Sequence, residues 1–208
     1  MNMEKKIVFA SHNADKAREV KEMLSPLGIE VLTLTDVHLK QTMEETAETF
    51  EGNSRIKAED IANQCDYAVL SDDSGLAIEP LGGFPGVHSA RFMEGHPYEE
   101  KNREILKRMN GMEERKAAFI TAMTYISEDR KVEKTFIGKD EGEIVKTMPE
   151  GKQNGFGYDP IFYSYSLKKT YGDALEEEKN SVSHRGKALR QVVEYLRSEN
   201  DGTDTRNR

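Results

Sequence analysis

Short apolar runs alternate with helically spaced apolar stripes along most of this chain. Ile7-Val8-Phe9-Ala10 has strand character and leads into polar Ser11-His12-Asn13. Ala17, Val20, Leu24 and Leu27 then recur on one helical face, and Pro26 with Gly28 closes that helix. Glu30 to Leu34 reads as a second strand, so the chain opens β-α-β. After the acidic Glu44-Glu45-Thr46-Ala47-Glu48, a second helix is expected to carry Phe50, Ala58, Ile61, Ala62 and Cys65 inward. Tyr67-Ala68-Val69-Leu70 is a third strand, and the polar Ser71-Asp72-Asp73-Ser74-Gly75 that follows reads as a tight turn at its end.

The density of glycine and proline in Gly82-Gly83-Phe84-Pro85-Gly86 requires an irregular loop. Tyr98 to Met109 is patterned as a helix burying Ile105, Leu106 and Met109. Ala117 to Ser127 and Val132 to Gly138 form an expected hairpin turning at Glu128-Asp129-Arg130, with Glu143 to Val145 as a further short strand. A last helix, Ser183 to Arg197, aligns Ala188, Leu189, Val192, Val193 and Leu196. The polar residues Ser198 to Arg208 lack periodicity and are expected to form a disordered tail. Strands and helices are mixed throughout, so we expect one α/β domain, residues 1–197, with a mixed sheet.

Composition narrows the function. A net charge of −8 argues against a general nucleic-acid surface, which needs a basic patch, yet it leaves room for a small anion held by a few local cations. No run of about 18 apolar residues is present to span a membrane. The single cysteine, Cys65, cannot make an internal disulfide, which suits a reducing cytoplasm and a packing role.

Five polar clusters fall at expected element ends. Ser11-His12-Asn13-Ala14-Asp15-Lys16 lies between a strand and a helix, where amides, Asn13 and Lys16 could cradle a phosphate, although Asn and Asp there are also ordinary helix caps. Glu44-Glu45, with Lys57 on the next helix, supplies an acidic pair of a kind usually just solvated. In Asp72-Asp73-Ser74, two adjacent carboxylates follow an apolar strand, which is costly without a balancing cation or proton. Magnesium prefers carboxylate oxygens, water and substrate phosphates, so Glu45 and Asp73 are candidate ligands for it. Gly155-Phe156-Gly157-Tyr158-Asp159 presents an aromatic ring between glycines, suited to the face of a planar base. Lys179 and Ser183-His184-Arg185-Gly186-Lys187 add donors of several geometries for the edge of a polar ring. Taken together, the clusters describe a nucleoside triphosphate site.

In that order, Ser-His-Asn-Ala-Asp-Lys, Glu-Glu-Thr, Ser-Asp-Asp-Ser-Gly-Leu, Leu-Gly-Gly-Phe-Pro-Gly-Val-His-Ser-Ala-Arg-Phe, Gly-Phe-Gly-Tyr-Asp-Pro-Ile-Phe and Ser-His-Arg-Gly-Lys-Ala-Leu resemble the inosine/xanthosine triphosphate pyrophosphatase family over roughly residues 7–197. The resemblance implies an elongated α/β fold, a mixed twisted sheet with flanking helices in two lobes around a central substrate cleft. It further implies a magnesium-dependent homodimer that hydrolyses ITP, dITP and XTP to the monophosphate and pyrophosphate. By position, Ser11, His12, Asn13, Ala14, Asp15 and Lys16 match the triphosphate loop, and Glu45 and Asp73 the metal carboxylates, with Asp73 also the base. Lys57, Ser74 and Arg91 match substrate contacts; Phe156, Gly157, Tyr158, Asp159, Lys179, His184 and Arg185 match the nucleoside-recognition groups.

Three departures stand out. Asp15 replaces a common glycine, Ala47 another, and Gly52-Asn53-Ser54 replaces a frequent Glu-Asn-Ala. Two other functions compete with the resemblance: a pyrophosphatase for modified pyrimidine triphosphates, and a nucleotide-binding protein without catalysis. The purine-type segments weigh against the first, and the complete set of Lys16, Glu45, Asp72 and Asp73 against the second.

Overall fold

The computed structural model describes residues 5–204. The strands are β1 (Lys5–Ala10), β2 (Ile29–Thr33), β3 (Ala68–Ile78), β4 (Lys116–Ile126), β5 (Glu133–Ile144), β6 (Phe162–Ser164) and β7 (Lys169–Thr170). The helices are α1 (Ala14–Leu24), α2 (Phe50–Ala62), α3 (Tyr98–Arg108), α4 (Glu176–Val182) and α5 (His184–Asp204). One seven-stranded sheet runs in the order β2-β1-β3-β4-β5-β6-β7. β1 pairs in parallel with β2 and β3, while β6 is antiparallel to β5 and β7, so the sheet is mixed as expected.

Contacts gather in two compact units. The first comprises the chain up to Asp73, residues 122–137 and the chain from Lys187; the second comprises residues 74–121 and 138–186. In the first unit, side chains alternate across the strands as the pleat requires. Ile7, Phe9 and Leu70 pack with Val20 and Leu24 of α1 and Leu189 and Val192 of α5. Val8 and Val69 pack on the other face against Ala58, Ile61 and Ala62 of α2. Two sheet faces are thus each covered by helices. The second unit has its own core, built on Leu76, Ile78, Ile105, Met109, Phe119, Phe162 and Tyr171.

Several expectations need correction. β3 does not end at Leu70 but continues through Asp72, Asp73, Ser74 and Gly75 to Ile78, so the acidic pair sits inside a strand rather than in a turn. Its polar side chains have partners waiting on both faces, which removes the reason to turn. Glu143 and Ile144 belong to β5, which is one 12-residue strand. Leu27 is exposed because the chain tightens into a 3-10 turn at Ser25–Leu27 before Gly28 takes a left-handed φ of +72°. Phe50 and Cys65 are only half-buried, one at the first residue of α2 and the other past its end. α5 continues past Arg197 to Asp204, since extending a formed helix needs no new nucleus. The rest of the expected tail, residues 205–208, lies outside the described residues.

The two departures around α2 prove to be one exchange. Thr49 caps the helix by accepting from Gly52 N at 3.1 Å. A Cβ on residue 52 would stand 2.5 Å from the Cβ of Ala47, closer than packed carbons come. The methyl group that this chain carries at position 47 fills the space a side chain at 52 would need. Gly52→Ala should therefore be destabilising, overpacking of about 1–3 kcal/mol outweighing a helix preference of up to about 1 kcal/mol. In the Ala47→Gly background the same change should be more favourable by at least about 1 kcal/mol, measured as the coupling in a double-mutant cycle of denaturant unfolding.

Candidate functional site

Alternation along β3 separates the two neighbouring carboxylates. Asp72 shares the face of Leu70 and meets α1; Asp73 shares the face of Val69 and Ser71 and meets α2. The Lys16 ammonium of α1 lies 2.9 Å from Asp72 Oδ1, and the Asp72 side chain is completely buried. Lys57 of α2 lies 3.0 Å from Asp73 Oδ1 and 3.2 Å from Glu45 Oε2, holding both carboxylates through one ammonium. Asn53, one turn earlier on α2, points Nδ2 at Asp73 Oδ2 (3.4 Å) and accepts from Ala47 N at 2.9 Å. It therefore links Asp73 to the loop that carries Glu45. Ser54 and Ser71 pin helix to strand, their hydroxyls 2.8 Å apart and Ser71 Oγ donating to Ser54 O at 2.6 Å.

These contacts set the electrostatics. Burial pushes the Asp73 carboxyl from its usual 3.8 up to about 6; Lys57 and Lys16 pull against that, and the charge of Glu45 adds to it. Burial acts on Glu45 in the same upward direction, but the charge and hydrogen bond of Lys57, with hydrogen bonds to Gln41 and Asp73, together hold it below the usual carboxylate range. Lys57 loses solvation, yet Asp73, Asp72 and Glu45 keep it above the ordinary lysine value.

The loop before α1 is ordered by its own residues. Asn13 caps the helix, its Oδ1 accepting from Asp15 N at 3.0 Å and Lys16 N at 3.1 Å. Those two amides are engaged by the cap, so Lys16 is the loop's charged group facing the β3 carboxylates. Asp15 turns away to pair with Arg18 at 2.8 Å, which offsets the charge that this departure adds. Ser11 Oγ accepts from Asn13 N at 3.2 Å, while His12 and Ala14 are exposed.

In the second unit, Asp159 organises the Gly155–Asp159 turn. Its Oδ2 accepts from Phe156 N and from the buried Lys179 ammonium, each at 2.8 Å. A Cβ at Gly155 would fall 2.2 Å from that same oxygen, and Gly155 has φ +73°, so only glycine fits. The Lys179 ammonium also lies over the Phe156 ring, 4.5 Å from its centre. His184 stacks on Phe119 with centroids 4.8 Å apart and 12° between planes. Arg185 donates from Nη2 to Ser74 Oγ at 3.0 Å. Tyr158 is packed inward, its hydroxyl donating to Ser89 O at 2.7 Å, which makes it a support for the loop. Arg91 is exposed in the turns after Ser89.

Sequence reasoning missed Asn53, Ser54, Ser71 and Phe119. Asn53 and Ser54 had one usable signal: with Lys57 they share the i, i+3, i+4 stripe that Ala58 and Ile61 continue. Phe119 reads as ordinary core.

A divalent cation can be tested against this donor set. Glu45 and Asp73 converge on one ammonium and so lie within reach of a common cation. Among the described residues no group of three or more acidic, histidine or cysteine side chains gathers as a metal site. A two-carboxylate set suits magnesium that takes its other oxygens from phosphate and water, and is too sparse for a cage made by protein alone. No helix among the described residues is long and apolar enough to cross a membrane.

Comparison with known proteins agrees over nearly the whole chain. A dITP/XTP pyrophosphatase of Thermoanaerobacter pseudethanolicus is 41% identical over 194 residues, covering 92% of this chain and 96% of that one. Another from an Exiguobacterium species is 42% identical over 188 residues, covering 90% and 94%. The solved Ham1 protein of Staphylococcus aureus superposes with a TM-score of 0.82 at 34% identity, covering 94% of this chain and all of that one. A HAM1 protein from Coxiella burnetii gives 0.83 at 37%, covering 93% and 99%. The Ham1 family model itself matches residues 7–195, and the chain belongs to the Ham1 family.

Proposed function

We propose that this protein hydrolyses non-standard purine nucleoside triphosphates (dITP, ITP and XTP) to the monophosphate and pyrophosphate. The observation that carries this is Asp73: a buried carboxyl, raised to about 6, beside a second carboxylate and two lysines. Burial disfavours the ionised form of such a carboxyl and so makes the carboxylate a stronger proton acceptor than an exposed one. The names of the relatives at 41% and 42% identity support the same substrate class.

In this reading Asp73 takes a proton from water as the water oxygen bonds to the α-phosphorus. The bond from that phosphorus to the bridging oxygen breaks, and pyrophosphate leaves with the electron pair. Lys16 and Lys57 hold phosphate oxygens as point charges set in place by the β3 carboxylates. Glu45 and Asp73 would hold magnesium, which when bound supplies charge stabilisation for the leaving group. Asp72 is neutralised by Lys16 and fixes that lysine's position. The dimeric state implied by the resemblance and the cytoplasmic location suited by a single cysteine belong to the same proposal.

Base choice rests on the second unit. Phe156 offers a ring face, and Lys179, His184 and Arg185 offer donors to the six-position oxygen of hypoxanthine or xanthine. Adenine presents an amino group there, leaving such donors unpaired.

Asp73→Asn keeps the shape of the side chain and removes the base. Pyrophosphate release from ITP should fall by about 10²- to 10⁴-fold with the unfolding transition retained, and near-normal turnover would overturn the assignment. His184→Ala and Arg185→Ala should each lower the ITP-over-ATP ratio of kcat/KM by roughly 5- to 150-fold, the equivalent of about 1–3 kcal/mol. An unchanged ratio in both would remove these residues from base selection.

A further inference from the structure

Asn102 lies on α3, between charged Lys101 and Arg103, and is only 2% exposed. Its Nδ2 donates to Gly157 O at 3.2 Å, while its buried Oδ1 has no hydrogen-bond partner. Lone buried acceptors are uncommon in folded proteins and ask for a reason. A leucine of the same size would pack there without leaving an oxygen unpaired, so packing alone does not call for asparagine.

The reason lies in what the donor holds. Gly157 has φ +68° and Gly155 φ +73°, so the loop backbone is set in the left-handed region at two positions two residues apart. Glycine peptides in such turns exchange readily between conformations. Within the loop, Phe156 N is tied to Asp159, and Asp159 N reaches back to Phe156 O at 3.2 Å, but neither bond fixes the Gly157 carbonyl. The Asn102 amide does so from outside. Neighbours on the same helix reinforce the grip: the Tyr98 ring packs edge-on against Tyr158 (5.3 Å), and Lys101 donates to Ala90 O at 3.1 Å. α3 thereby holds both the Gly155–Asp159 loop and the turn after Gly86.

We propose that Asn102 is a positioning residue for base recognition: its amide locks the Gly157 carbonyl and thereby the Phe156 ring and the Asp159–Lys179 pair. This rests on the proposed purine triphosphate function. The unpaired Oδ1 accompanies a donor that the loop requires, a functional residue retained against the demands of stability.

Asn102→Leu separates the two roles. It should leave the melting temperature nearly unchanged, because the unpaired Oδ1 is removed at the same time as the donor to the Gly157 carbonyl. Hydrogen exchange across the Gly155–Asp159 backbone should accelerate by about tenfold or more while exchange in β1 and α1 is unchanged. KM for ITP should rise by about tenfold with kcat within about twofold, and the ITP-over-ATP preference should fall. Asn102→Ser, too short to reach Gly157, should give the same pattern if the leucine variant does not fold. Wild-type exchange, KM and base preference in either folded variant would overturn the inference, as would a fall in kcat at constant KM. Wild-type protein with no preference for ITP over ATP would instead overturn the proposed function; the exchange measurement on the loop would still decide whether Asn102 holds it.

Discussion

Two adjacent carboxylates in a buried strand are the constraint around which the rest of the first unit is arranged. A strand sends neighbouring side chains to opposite faces, so Asp72 and Asp73 form their direct ion pairs with different lysines. Each needs its own, from a helix on its own side of the sheet, because an uncompensated buried charge is strongly destabilising. α1 delivers Lys16 to one face and α2 delivers Lys57 to the other. The order β1-α1-β2 followed by α2-β3 places those two helices on the faces where the lysines are required.

The two ion pairs are not equivalent. Asp72 lies 2.9 Å from the Lys16 ammonium with no exposure. Asp73 shares its lysine with Glu45, whose charge adds to the rise, and Asn53 Nδ2 approaches its second oxygen at 3.4 Å. Burial therefore outweighs attraction at Asp73, and its carboxyl rises to about 6. One strand thus places adjacent, identical residues in different electrostatic surroundings, through the faces they occupy. Asn53 and Ser54 show how the helix serves this division: the first turns of α2 bury polar groups against β3, and its last turns bury Ala58, Ile61 and Ala62.

Much of the fold was legible because apolar periodicity reports burial. β1, α1, the β4–β5 hairpin, α3 and α5 each show it and each formed, though β5 and α5 run past their expected ends to Ile144 and Asp204. β3 beyond Leu70 was hidden because Ser71, Asp72 and Asp73 are buried polar residues, and by composition they look like a turn. β6, β7 and α4 are too short for a period to register. At the candidate site, groups such as Lys16, Asp73, Phe156 and His184 stood out because polar clusters at element ends are rare enough to notice. Their supports did not: Asn53 looks like a helix-start residue, Asn102 is flanked by charges, and Phe119 has the composition of core. A supporting residue is defined by what it touches, and touching is set by the tertiary fold.

The central claim is that burial on the α2 face raises Asp73 while Lys57 restrains that rise. A carboxyl-carbon NMR titration of the metal-free protein, wild type against Lys57→Met, tests it directly. The Asp73 carboxyl should titrate near pH 6 in the wild type and higher once the ammonium is gone. A wild-type value at or below the usual 3.8, or one that Lys57→Met leaves unmoved, would contradict the account.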